Sequence, residues 1–219
     1  MEAAAENHNF ATLEAIGDLL RATLAAKNDA RDTALRHSRT LVRHCANTIR
    51  AVHRGEMQRA RALLKTAEDT ATELRAVVAD DPDLYYAGYT QDGLRELVEA
   101  NLLLAMVTGA ELPTPDVLQV EASTYLKGLA EAATELRRTI LDIIREDHSE
   151  QAERLLEIMD EVYSLLVTID FPDAITGGLR RSTDVVRGVR ERTRGDLTMS
   201  LRQQRLQQAL RRAENEGSG

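Results

Sequence analysis

From Leu94 to Val107 the chain reads LRELVEANLLLAMV, which past Glu99 is apolar on every side except at Asn101. A helix with no solvent-facing stripe is one that its neighbours bury. No stretch alternates apolar and polar residues long enough to make a sheet. Aromatic residues are only 3% of the chain and Trp is absent, so the core must be built from Leu, Ala, Val and Ile. Such a core suits helix packing, since strands favour aromatic and β-branched side chains. The fold class is therefore all-α.

The periodicity divides the chain into helices. The first is expected from about Phe10 to Arg54, longer than 40 residues, with Gly55 as its stop and Leu35, Leu41, Val42, Cys45, Ile49 and Val52 on its apolar side. A second runs from about Glu56 to Val78 and ends at the sequence Ala-Asp-Asp-Pro over 79–82. Tyr85 and Tyr86 fall in a short connector, where paired tyrosines either stack on bases or, more often, plug a helix junction. The buried helix follows and ends near Gly109. Pro113 and Pro115 mark a loop, with a short turn at Asp116. Further helices are expected over about 123–144, from a Ser149 N-cap to Leu166, and from Arg180 to Ala213. The last of these carries Arg187, Arg190, Arg192 and Arg194.

Several functions are excluded or disfavoured. A net charge of −8 argues against a generally basic nucleic-acid coat, although it leaves room for a local basic groove. The single cysteine, Cys45, offers neither an internal disulfide nor a thiolate metal cluster and reads as a core thiol. The acidic, polar stretch Met1–Phe10 does not resemble a secretion signal. No apolar run approaches the roughly 18–20 residues needed to cross a bilayer. A cytoplasmic protein with no membrane partner is expected. Gly-rich phosphate loops, zinc-protease signatures and nucleophile elbows are missing, and the histidines are not spaced as a ligand cluster.

The remaining chemistry lies in carboxylates. Glu96 and Glu99 are three residues apart, and Glu131 and Glu135 are four apart, so each pair shares one helix face. Glu pairs at helical spacing recur by chance in so acidic a chain, as at Glu153 and Glu157. Glu131, Glu135, Arg138 and Asp142 also read as an ordinary polar stripe with a surface pairing of Glu135 and Arg138. The first pair carries more weight, because it interrupts an apolar helix where an ionised carboxylate is costly unless paired or metal-bound. If the two helices pack together, the four acids make an oxygen-rich cation site. Arg36, Arg39, Arg43, Asn47, Arg50 and Arg54 form a separate stripe with little interleaved acid. It is either a solvated face or a row of guanidiniums for phosphate.

Taken in order, these segments resemble the translin/Trax family over most of the chain. Ser38-Arg39 followed by Ile49-Arg-Ala-Val-His53-Arg54 is similar to the family's first-helix pattern. The run Gly93-Leu-Arg-Glu96-Leu-Val-Glu99-Ala100 resembles the Trax segment that bears two catalytic glutamates. The stretch Tyr125-Leu-Lys-Gly128-Leu-Ala-Glu131 through Glu135-Leu136 resembles the one in which an Asp and a Glu complete the acidic cluster, with Glu131 standing where that Asp would be. Translin itself lacks the first glutamate pair, so the four acids make the chain Trax-like, similar to archaeal members of the family.

The resemblance implies a single translin-like domain over 1–219, a bundle of about seven helices with long first and last helices, and disordered ends at 1–9 and 214–219. It also implies a closed homo-oligomer, an octamer, holding RNA inside. The expected activity is Mg²⁺- or Mn²⁺-dependent endoribonuclease cleavage of single-stranded or processed RNA, with single-stranded DNA as a further ligand. Glu96, Glu99, Glu131 and Glu135 are then the catalytic and metal-holding residues, and Arg39, Arg43 and Arg50 contact the RNA backbone. The competing expectation is a translin-like RNA- or DNA-binding scaffold that does not cut.

Overall fold

The element that needs burying is at the centre of the molecule. In the computed structural model, which describes residues 2–146 and 150–217, the helices in chain order are α1 Glu2–His53, α2 Met57–Val78, α3 Pro82–Tyr85, α4 Gly88–Thr108, α5 Pro115–Leu118, α6 Ala122–Glu146, α7 Glu150–Thr168, α8 Asp173–Thr176 and α9 Leu179–Gly217. Every residue of α4 from Leu97 to Val107 is buried. The hairpin of α1 and α2 covers one side of α4, α6 covers the other, and α7 and α9 pack on α6. Leu41, Leu74, Leu97, Leu102, Leu136, Ile140 and Leu155 are among the fully buried side chains, and they join these helices into one core.

Local chemistry sets the breaks. Gly55 and Gly109 adopt φ of +72° and +71°, the left-handed conformation that ends a helix and that Gly enters most easily. Arg154 of α7 donates to the carbonyls of Met106 and Val107 at 3.0 and 3.1 Å, which satisfies the otherwise orphaned end of α4. The short helices α3 and α5 start on Pro82 and Pro115, and α8 follows an N-cap at Pro172. Six long helices and three single turns thus stand, among the described residues, where about seven helices were expected. Residues 2–9 and 214–217, expected to be disordered, continue α1 and α9 as helix. Met1, Ser149, Ser218 and Gly219 lie outside the described residues, so the N-cap expected at Ser149 does too. Tyr85 and Tyr86 pack edge to face with centroids 4.9 Å apart at the α3–α4 junction.

Two contacts fix α4 against its neighbours. Ser38 of α1 donates its hydroxyl to the Tyr89 carbonyl at 2.5 Å. On the other side α6 meets α4 at Gly128, where an added Cβ would come within 2.7 Å of the Val98 side chain and 2.9 Å of the Arg95 carbonyl. Only glycine permits so close a crossing. It lies one turn before Glu131 and beside the turn from Arg95 to Glu99, so it sets how near the two glutamate pairs stand.

Candidate functional site

Both glutamate pairs face the α4–α6 crossing. Glu99 is 8% exposed, which is rare for a carboxylate, and Glu96, Glu131 and Glu135 are partly buried. Burial pushes the Glu99 carboxyl up to about 8, reinforced by the negative charges of Glu96, Glu131 and Glu135 and opposed by Arg95. Burial also raises Glu96 and Glu131, again against the pull of Arg95. This mutual repulsion is what convergence from two helices produces. Cys45 of α1 feels the same cluster: burial raises its thiol, and the charges of Glu96 and Glu99 raise it further.

Two residues assigned no role at the acid site from the sequence complete the arrangement. His53, at the end of α1, has a side chain only 2% exposed, and its Nε2 lies 2.8 Å from Glu135 Oε2. The hydrogen bond from His53 holds Glu135 below the ordinary carboxylate range despite its burial. Glu135 therefore takes a buried imidazole as its partner, rather than the surface pairing with Arg138 that spacing suggests. Arg95 is the second. Its guanidinium reaches Asp92 Oδ1 at 2.8 Å, Glu131 Oε2 at 2.9 Å and Glu96 Oε1 at 3.8 Å. Its contact with Glu131 is poorly aligned, since Arg95 Nε and Glu131 Oε2 are both buried and neither makes a hydrogen bond.

The four acids are thus brought together, but their oxygens are not gathered on one point. Among the described residues, no three carboxylate, imidazole or thiol groups stand at ligand spacing for a metal ion. The donor set is still of the right kind for a hard divalent cation, being all carboxylate oxygen. Glu131 Oε2 is ion-paired with Arg95 Nε at 2.9 Å but without good hydrogen-bond alignment. Beside it, between α6 and α9, opens a cleft of about 160 Å³ lined by Ala130, Glu131, Thr134, Arg181, Ser182 and Val185.

Arg39, Arg43 and Arg50 are exposed on one strip of α1. They do not reach the acids, whose paired partners are Arg95 and His53. Arg50 is roughly 60° around the helix from His53 at 3.6 residues per turn, and Arg43 and Arg39 lie progressively farther along α1. The arginines of α9 are used differently. Arg190 packs over the Tyr163 ring at 4.1 Å, Arg190 and Arg194 both pair with Asp160, and Arg187 pairs with Asp184. Arg190 and Arg194 therefore tie α9 to α7.

Among the described residues, no helix is long and apolar enough to cross a membrane. No family model matches the chain. An uncharacterized protein of Methanocaldococcus jannaschii is 28% identical over 193 residues, covering 87% of this chain and 85% of that protein. The structure of an AfC3PO–duplex RNA complex aligns with a TM-score of 0.77 at 30% identity, covering 84% of this chain and 95% of the other. The crystal structure of AfC3PO aligns with the same score and coverage at 31% identity. The crystal structure of apo-NeC3PO, at 20% identity and a TM-score of 0.75 over 84% of this chain and 96% of that one, shares the fold. With the all-helical bundle, the acid-bearing crossing and this likeness to C3PO over 84% of its length, the chain belongs to the translin/Trax family.

Proposed function

We propose that the chain is a divalent-cation-dependent endoribonuclease that works inside a closed homo-oligomer, an octamer of this one chain. The observation that carries the reading is the convergence of Glu96, Glu99, Glu131 and Glu135 at a half-buried crossing, where three of the four are pushed up by burial and Glu131 Oε2 lacks a hydrogen bond. These glutamates would hold Mg²⁺ or Mn²⁺. When bound, such an ion supplies a Lewis acid that stabilises charge on phosphoryl oxygens. His53 keeps Glu135 ionised and oriented, and the packing around Glu99 limits water at the site. Arg39, Arg43 and Arg50 contact the RNA backbone, which positions the strand without reading its sequence.

The AfC3PO relative is known in complex with duplex RNA, while single-stranded or processed RNA and single-stranded DNA are the ligands first expected for this chain. Assembly is supported by apolar residues left bare on the long helices. Leu13, Ile16, Leu20 and Leu24 of α1 are 46–65% exposed, and Met199, Leu206 and Leu210 of α9 are 55–65% exposed. Covering them requires another chain.

A second reading is favoured by the ion pairs. Arg95 on Glu131 and His53 on Glu135 already neutralise much of the cluster, as expected of a translin-like scaffold that binds RNA and does not cut. Labelled single-stranded and duplex RNA, incubated with the purified protein in Mg²⁺ or in chelator, separates the two. The nuclease produces cleavage in Mg²⁺ that vanishes in chelator and in Glu99→Ala. The scaffold retains RNA, with binding that falls steeply as salt rises, and leaves it whole in Mg²⁺ and in chelator alike.

A further inference from the structure

We propose that Arg95 is a built-in placeholder for the divalent cation, its guanidinium occupying the ground between α4 and α6 that the ion takes when it binds. The inference rests on the metal-dependent reading and adds to it a residue that must move. Arg95 stands among Asp92, Glu96 and Glu131, with nitrogen–oxygen distances of 2.8, 3.8 and 2.9 Å. It is therefore the positive charge shared by Asp92, Glu96 and Glu131, whereas Glu135 pairs with His53. This explains why carboxylates close enough to perturb one another do not present three ligands to a common point.

An arginine cannot be neutralised by losing its proton, so an ion entering this space must displace it. Two features make the displacement feasible. The contact with Glu131 is the imperfect one, with both atoms buried and neither hydrogen-bonded. The contact with Asp92 is well made, and the Asp92 side chain is 60% exposed. The guanidinium can therefore swing outward while keeping Asp92 as its partner. A guanidinium turned outward in this way suits a phosphodiester oxygen pair. Metal entry and RNA backbone contact are thereby coupled through one side chain.

The test is a Mn²⁺ titration of the assembled full-length protein by calorimetry, with wild type, Arg95→Gln and Arg95→Lys compared. Removing a unit charge a few ångströms from the ion should tighten Mn²⁺ binding in Arg95→Gln by about tenfold. The same variant should melt earlier than wild type in chelator and recover that difference in saturating Mn²⁺. Arg95→Lys keeps the charge on a single ammonium that cannot bridge Asp92 and Glu131 together, and it should bind with intermediate affinity. Equal or weaker Mn²⁺ binding by both variants, beside a wild type that binds, overturns the placeholder and leaves the metal site standing. No Mn²⁺ binding by any of the three overturns both.

Discussion

Replacing Glu99 by Gln should make the metal-free protein more stable, by an amount that grows with pH. Glu99 is 8% exposed and its carboxyl is held near 8, against an ordinary value of 4.5. The unfolded chain therefore ionises first as pH rises. The native state loses stability between those two values, because it must then carry a buried charge or hold a proton that the unfolded chain has released. Applied to these two values, the linkage relation gives a loss under about 1 kcal/mol at pH 5 and about 3 kcal/mol at pH 7, and a little under 5 kcal/mol at pH 9. Gln carries no charge and has nearly the same volume, so it escapes the loss. Urea denaturation in chelator at pH 5, 7 and 9, at one fixed protein concentration, measures the difference directly. Saturating Mn²⁺ should reverse the order, stabilising wild type and leaving Glu99→Gln almost unchanged. A stability difference that is independent of pH, or a variant less stable throughout, would refute the assignment of Glu99 as a carboxylate strained by burial among like charges.

Three further perturbations probe the surroundings. Gly128→Ala places a methyl group 2.7 Å from Val98, and it should cost about 1–3 kcal/mol by overpacking and weaken Mn²⁺ binding as α6 moves off α4, read by denaturation and titration. His53→Ala removes the buried partner of Glu135 and should cost about 1.5–3 kcal/mol of stability, with Glu135 then titrating at higher pH by carbon-detected NMR. Changing Arg39, Arg43 and Arg50 together to Ala should leave the melting temperature unchanged, since all three are exposed. It should also lower RNA affinity and flatten its salt dependence by about one unit of slope per lost contact.

Much of the architecture was legible because it follows from local rules. The run from Leu97 to Val107 has no polar face, so α4 could only be central, and Gly55 and Gly109 mark real helix ends. The glutamate spacing put each pair on one helix face, and both faces meet at the α4–α6 crossing. Arg95 and His53 were not legible, for a shared physical reason. Within its own helix Arg95 is an ordinary i,i+3 partner of Asp92, and His53 is a lone imidazole at a helix end. Their meetings with Glu131 and Glu135 depend on how closely α4 approaches α6 at Gly128 and on where α1 stops. The arginines of α9 illustrate the reverse case. The sequence shows four of them close together, but Asp160, Asp184 and Tyr163 occupy three of these, and only the packing of α7 against α9 reveals two of those partners.

The most direct test of the central claim is the anomalous scattering of Mn²⁺ in crystals of the protein. The account predicts a peak at the α4–α6 crossing, within about 2.0–2.3 Å of oxygens from Glu96, Glu99, Glu131 or Glu135, with the Arg95 guanidinium moved off Glu131. Crystals grown in millimolar Mn²⁺ that show no peak there, and Arg95 still resting on Glu131, would contradict it.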